Sequence, residues 1–342
     1  MTRNSWPWPA GAATGIGSLP GTDIAEALRI VLGELPHLPH LPELPARGPG
    51  ADLIGRAGAL LADLPVEMYA ARWRLATRPG RDLRAARDFL ERDLDTLTDQ
   101  AAGYAGTLKL QSPGPWTLAA SLDLPIGGAV LRDDGAVRDL AGSLAEGLRA
   151  HVAEVRARLP RATVLVQLDE PSLPAVLAGR VPTESGLGTL KPVEPVTARA
   201  ALAAVIAEAD APVVIHCCAA GAPLALLAAS GAVGVALDLA LVEDLDALAA
   251  VLDGGLGLIA GVADTGTFAA GAMPGRGPRP WAESLASRLT NLWRVLGMSR
   301  STLPSQTVVS PACGLAGAPA ERVRAVLTAC REAARLLSDA PE

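Results

Sequence analysis

The sequence predicts an α/β fold: a closed (β/α)8 TIM barrel over residues 1–342, with parallel strands inside and helices outside. Three observations lead there. Eight short apolar runs recur along the chain, helical patterns separate them, and polar residues of distinctive chemistry fall at the C-terminal ends of the runs. Near-continuous apolar strands alternating with helices belong to parallel sheets buried on both faces. Eight of them close into a barrel more readily than they spread into an open sheet.

The predicted strands are ATGIGS (13–18), LPVEM (64–68), TLKLQS (107–112) and TVLVQLD (163–169), followed by PVVIHC (212–217), VGVALD (233–238), GLGLIAGV (255–262) and QTVVSPA (306–312). LPVEM carries the weakest strand pattern of the eight. Helices are expected over 22–34, 81–103, 134–159, 196–209, 243–253, 281–297 and 318–337. In the third of these, Val137, Leu140, Leu144, Leu148 and Val152 recur at helical spacing along one face. Ser18, Asp169, His216, Asp238 and Cys313 then lie at or just past strand ends, on the face where barrel loops build active sites.

Composition narrows the function. Half of the residues are hydrophobic but only 3% are aromatic, so the core is built from Ala, Leu and Val. The net charge is −6 and no Lys/Arg patch carries interleaved aromatics, which argues against a nucleic-acid partner. The first residues lack the apolar stretch of a signal peptide. Residues 211–237 carry no Asp, Glu, Lys or Arg, yet Pro223, several glycines and His216 interrupt them. They read as a buried strand–helix–strand rather than a membrane span, and a soluble cytoplasmic protein is expected. Four cysteines in 342 residues do not make a disulfide scaffold; clustered with histidine they point to metal binding or catalysis.

Two stretches attract other readings. GIGSLPG places its glycines at 15, 17 and 21 with Pro20 between, which does not meet the dinucleotide-binding spacing. ELPHLPHLPELPARGPG has Pro at 36, 39, 42 and 45, a three-residue period that favours polyproline II with His37 and His40 on one side. A rigid loop over the barrel mouth is expected there.

The metal reading centres on IHCC (215–218). In a strand, residues i and i+2 share a side, so His216 and Cys218 project together while Cys217 points away. Cys313 and Asp238 end neighbouring runs, and the four make a donor set suited to tetrahedral Zn2+. Against this stands the frequency with which free cysteines simply pack in cores.

Four motifs in order resemble the catalytic, C-terminal half of cobalamin-independent methionine synthase, within the superfamily that includes uroporphyrinogen decarboxylase. TGIGSLPGT (14–22) is similar to the family's Ile-Gly-Ser-Phe-Pro-x-Thr, QLDEP (167–171) to Gln-Ile-Asp-Glu-Pro, and IHCC (215–218) to His-x-Cys. PACGL (311–315) is similar to Pro-Asp-Cys-Gly-Leu, and SPGPWTLAAS (112–121) to the superfamily's Gly-Pro-x-Thr segment. The resemblance implies a single catalytic domain binding Zn2+ through His216, Cys218 and Cys313, with Asp238 where the family has glutamate. It implies that Ile16 and Ser18 hold the carboxylate of homocysteine, and that Asp169, with Glu67 as a second carboxylate, meets its ammonium group. The implied activity is that of a 5-methyltetrahydropteroyltriglutamate–homocysteine S-methyltransferase, in which a metal-activated thiolate attacks the donor's methyl group.

The sequence departs from the family at three points. Its length leaves no room for the N-terminal barrel that helps bind folate, so a methylated corrinoid protein is an alternative donor to methyltetrahydrofolate. Ala312 replaces an aspartate beside Cys313. In GVADTGT (261–267), Gly266 stands where the family has a proton-donating histidine, leaving Asp264 as the candidate acid. Two rival readings are a uroporphyrinogen decarboxylase-like enzyme, which would want an arginine-lined mouth, and a degenerate barrel that binds zinc or an amino acid without turnover. Trp116 reads as a donor-stacking or a packing residue, Cys217 and Cys330 as core, and His151 as solvated.

Overall fold

The computed structural model describes residues 6–265 and 278–339. Its centre is a six-stranded parallel sheet in sequential order: β3 (Thr107–Pro113), β4 (Thr163–Asp169), β5 (Val213–Cys217), β6 (Gly234–Asp238), β7 (Gly257–Ala263) and β8 (Thr307–Pro311). Two earlier strands, β1 (Val66–Tyr69) and β2 (Arg72–Leu75), form a separate antiparallel hairpin.

Alternation along the strands divides two apolar layers. Leu165, Val214, Ala236, Ile259 and Val308 point to one side and pack with Trp8, Ala12 and Leu38. Their strand neighbours Val164, Val166, Ile215, Val235, Leu237, Leu258 and Val309 join the larger core shared with the helices. This period of two, with both faces covered, explains why the runs are apolar throughout. The helices Arg81–Gln100, Asp134–Arg158, Pro195–Glu208, Leu245–Asp253, Pro278–Val295 and Ala320–Asp339 follow the expected order. Several start at an aspartate whose carboxylate accepts the first free amides. Asp23 does so for Ile24–Glu34, Asp133 for Asp134–Arg158 and Asp244 for Leu245–Asp253.

Two of the eight expected strands take another form. LPVEM does not join the parallel sheet; it supplies β1 of the hairpin, whose turn holds Ala70 and Ala71 at φ 47° and 64°. Such a tight turn needs positive φ at both central residues, and alanine adopts it at a cost. ATGIGS is not a regular strand. Thr14 N–H donates to the Val309 carbonyl at 3.0 Å and Val309 N–H to Ala12 at 3.0 Å, so only its start is paired with β8.

The first part of the proline-rich run lies along the sheet, and Glu43 and Pro45 in its later part reach the cavity at the strand ends. Lys109 N–H donates to the Pro39 carbonyl at 2.9 Å and Leu41 N–H to the Lys109 carbonyl at 3.0 Å, laying His40 beside β3. Glu43 in turn pairs with the first segment: its N–H donates to Gly17 at 3.2 Å and its carbonyl accepts from Leu19 at 2.9 Å. Prolines 39, 42 and 45 have no N–H, so the run makes isolated bridges rather than a ladder. His37 is exposed and His40 buried, so the two do not act together. His151 is also buried, against the expectation of solvation, and burial holds its imidazole down to about 3. Among the described residues no helix is long and apolar enough to cross a membrane.

Candidate metal centre

At the C-terminal ends of the sheet, His216 of β5 stands in register with Asp169 of β4. His216 Nδ1 and Asp169 Oδ1 are 2.7 Å apart, and Gln167 Nε2 donates to the same oxygen at 2.7 Å. A carboxylate partner places the imidazole proton on Nδ1 and leaves Nε2 as a lone-pair donor. That Nε2 is buried and has no hydrogen-bond partner among the described residues.

Cys218 follows the end of β5 and Cys313 follows β8, so the loops after two strands separated by β6 and β7 bring together residues 95 positions apart. Their sulfurs are 3.4 Å apart, and the ligand atoms of His216, Cys218 and Cys313 all lie within 4.8 Å of one another. Tetrahedral zinc bonds of about 2.0–2.3 Å place ligand atoms roughly 3.3–3.8 Å apart, a spacing this trio approaches. The unpartnered imidazole nitrogen and the two soft sulfurs therefore fit Zn2+. In the protein alone the thiols share a proton: the hydrogen bond to Cys218 brings Cys313 down to about 6, while Cys218 is pushed up.

The trio forms one wall of a cavity of about 190 Å³. This is below the roughly 300–1,000 Å³ of sites for drug-sized ligands, and suits a molecule the size of an amino acid. Ile16, Gly17 and Ser18 line the opposite side, Asp169 and Glu43 contribute carboxylates, and Ala51, Leu53 and Pro171 are apolar wall. A Cβ at Gly314 would strike Ser18 Oγ, so the glycine after Cys313 lets the two loops close on each other. No arginine is among the lining residues.

The structure thus gathers Ile16, Ser18, Asp169, His216, Cys218 and Cys313, and it separates three other candidates from them. Glu67 lies on the β1–β2 hairpin, bound to Arg74 at 2.6 Å, and does not reach the cavity. Asp238 Oδ1 accepts the Ala240 N–H at 2.9 Å, capping the turn after β6, and its residue lines a different pocket with Cys217 and Leu241. One methylene shorter than glutamate, this carboxylate is engaged by its own backbone instead of joining the trio. Asp264 is exposed one residue beyond β7 and does not line the cavity; Gly266 lies outside the described residues.

Sequence reasoning missed Glu43, which lines the cavity that Glu67 does not reach. It is 6% exposed, pushed up to about 7 chiefly by burial, with Arg56 Nε 3.7 Å from its carboxylate. Its signal was being the sole acid within residues 36–50. Trp116 is packing: its indole N–H donates to the Ala198 carbonyl at 2.9 Å. Beside it Glu170, fully buried, accepts from Trp116 N–H at 3.0 Å and from the Thr117 N–H and hydroxyl at 2.8 Å each.

A parallel α/β sheet bearing an imidazole and two thiols at its C-terminal ends defines an α/β protein with a candidate metal site. The sequence matches the family model for the cobalamin-independent synthase catalytic domain over residues 11–336, and the chain belongs to that family. It is accordingly a methyltransferase. Among solved structures it is similar to a B12-independent methionine synthase from Shewanella sp. W3-18-1 in complex with selenomethionine. The two are 14% identical with a TM-score of 0.61, covering 96% of this chain and 98% of the other. Mandelate oxidase with benzoyl-formic acid matches at 18% identity and a TM-score of 0.28, over 85% of this chain and 86% of the other. No curated protein matches the sequence.

Proposed function

We propose that the chain is a zinc-dependent S-methyltransferase that transfers the methyl group of methyltetrahydrofolate to homocysteine, giving methionine. The observation that carries this reading is the buried His216 Nε2, unpartnered and within reach of two sulfurs, in a cavity of amino-acid size. His216, Cys218 and Cys313 are the protein ligands, and three protein ligands with one position left for substrate is the pattern of catalytic rather than structural zinc. A cation held there supplies a substrate thiol kept as thiolate at neutral pH.

The chain's own groups do the rest. Asp169 keeps His216 in one tautomer through Oδ1, and its other oxygen, with Glu43, receives the substrate ammonium. The backbone at Ile16–Gly17 and the Ser18 hydroxyl receive the carboxylate. Ala51, Leu53 and Pro171 keep water from the sulfur. Asp264, beyond β7, is the acid assigned to the leaving folate nitrogen. Segments 12–19 and 39–43, bonded to β8, to each other and to β3, complete the sheet as a closed (β/α)8 barrel. Neither the family match nor the site favours a corrinoid protein as donor, and the absence of arginine from the cavity lining argues against a decarboxylase of large poly-acids.

Elemental analysis of the wild type beside Cys218→Ser and Cys313→Ser tests the reading. About one zinc per chain, lost in both variants, with methionine formed from homocysteine and methyltetrahydrofolate by wild type alone, is the expected result. A wild type that takes up no zinc after reduction and reloading would overturn it.

A further inference from the structure

The interior beneath the cavity holds a charge that the chemistry above does not use. Lys109 of β3 stands in register with the inward Leu165 of β4 and is fully buried. Its Nζ donates to the Ile16 carbonyl at 2.9 Å and lies 3.4 Å from Gln111 Oε1. Among the described residues no carboxylate is within salt-bridge distance of it. A buried ammonium held by neutral oxygens is costly, and burial brings this one down to about 8 against the opposing pull of Asp169 and Glu43. Gln167 Nε2 of β4 also donates to the Ile16 carbonyl, at 2.9 Å. Two donors from adjacent strands thus converge on one peptide oxygen.

The consequence follows from peptide geometry. In a planar trans peptide the C=O and the next N–H point in opposite directions. With the Ile16 carbonyl drawn down onto Lys109, the Gly17 N–H is turned the other way, and Gly17 lines the cavity. No described group accepts a hydrogen bond from that N–H. The segment's backbone pairings lie at Thr14 and from the Gly17 carbonyl onward, so none of them holds the Ile16–Gly17 peptide itself. Its orientation therefore depends on the side chains beneath.

We propose that Lys109 is a positioning residue for amino-acid recognition: its ammonium, with Gln167, locks the Ile16–Gly17 peptide so that the Gly17 amide meets the substrate carboxylate. The same charge offsets the two carboxylates of the cavity. Acting through the peptide, Lys109 governs the carboxylate end of the ligand and leaves the metal trio alone. This rests on the proposed homocysteine site.

The test is calorimetric binding of two thiols to the zinc-loaded wild type and to Lys109→Met: homocysteine, and 3-aminopropane-1-thiol, which keeps the amine and sulfur but lacks the carboxylate. Lys109→Met is expected to weaken homocysteine at least tenfold, to change the carboxylate-free thiol less than twofold, and to keep wild-type zinc content. Equal weakening of both thiols, or unchanged homocysteine affinity, overturns the proposal. Should Lys109→Met not fold, Lys109→Gln, which keeps an N–H donor without the charge, is read in the same comparison. It is expected to fall between wild type and full loss for homocysteine alone, and loss for both thiols again overturns the proposal. A wild type that binds zinc but neither thiol refutes the homocysteine site itself, and with it this role. A wild type that binds both thiols while the variant matches it refutes the Lys109 role alone.

Discussion

At the residue scale, single carboxylates decide which groups belong to the site. Glu43 belongs to the proline-rich run and Glu67 to the predicted second strand, yet the first is buried beside Arg56 and the second is half-exposed on a hairpin. Glu43→Gln is expected to raise the KM for homocysteine about tenfold, the value of a lost charge-assisted hydrogen bond, whereas Glu67→Gln leaves steady-state kinetics unchanged. Asp169→Asn replaces the charged acceptor that orients His216 with a neutral amide and is expected to weaken zinc binding about 10–100-fold in a chelator competition. Lys109 predicts a pH dependence. Its folded value of about 8 lies below the ordinary 10.5, so between these values the unfolded chain binds more protons and stability rises with pH. The cost of the buried charge is complete below pH 8. Lys109→Met is therefore expected to be more stable than wild type there, by on the order of 2 kcal/mol, with the gain shrinking toward pH 10.5 in urea titrations.

At the element scale, the sheet is held to its loops by buried side chains. Glu170 follows β4 and accepts three hydrogen bonds from the start of the helix Pro115–Ser121, tying two βα connections together. That helix has no capping side chain of its own, because Gly114 precedes it. Glu170→Ala leaves two amides and a hydroxyl unsatisfied in the interior, and a loss of about 2–4 kcal/mol in urea unfolding is expected. The regular strands β3 to β8 and the long helices were legible because a period of two or of 3.6 in apolar residues is a local signal. Segments 12–19 and 39–43 were not. The glycines of the first weaken a strand and the prolines of the second lack an N–H, and only partners distant in sequence hold them extended.

At the scale of the whole molecule, the site draws on segments from residue 16 to residue 314. The metal trio joins the ends of β5 and β8 across the top of a core that is already extensive. Chelation is therefore expected to lower the melting temperature without unfolding the chain. At zinc 1,000-fold above its dissociation constant the linkage is about 4 kcal/mol, or roughly 5 °C for a chain this long, read by calorimetry with and without chelator.

What the sequence determined by itself is the order of the parallel strands β3 to β8 and three of its four candidate metal ligands, His216, Cys218 and Cys313, which the fold brings together. IHCC carries its own geometry, since strand alternation alone sends His216 and Cys218 one way and Cys217 the other. The tertiary structure decided what alternation cannot reach. It brought Glu43 rather than Glu67 to the cavity, turned Asp238 onto its own backbone, and buried Lys109 under the peptide at Ile16. The physical reason is that a side chain's direction follows from local backbone geometry, whereas its partner is set by how the folded chain closes, across 93 residues for Lys109 and Ile16.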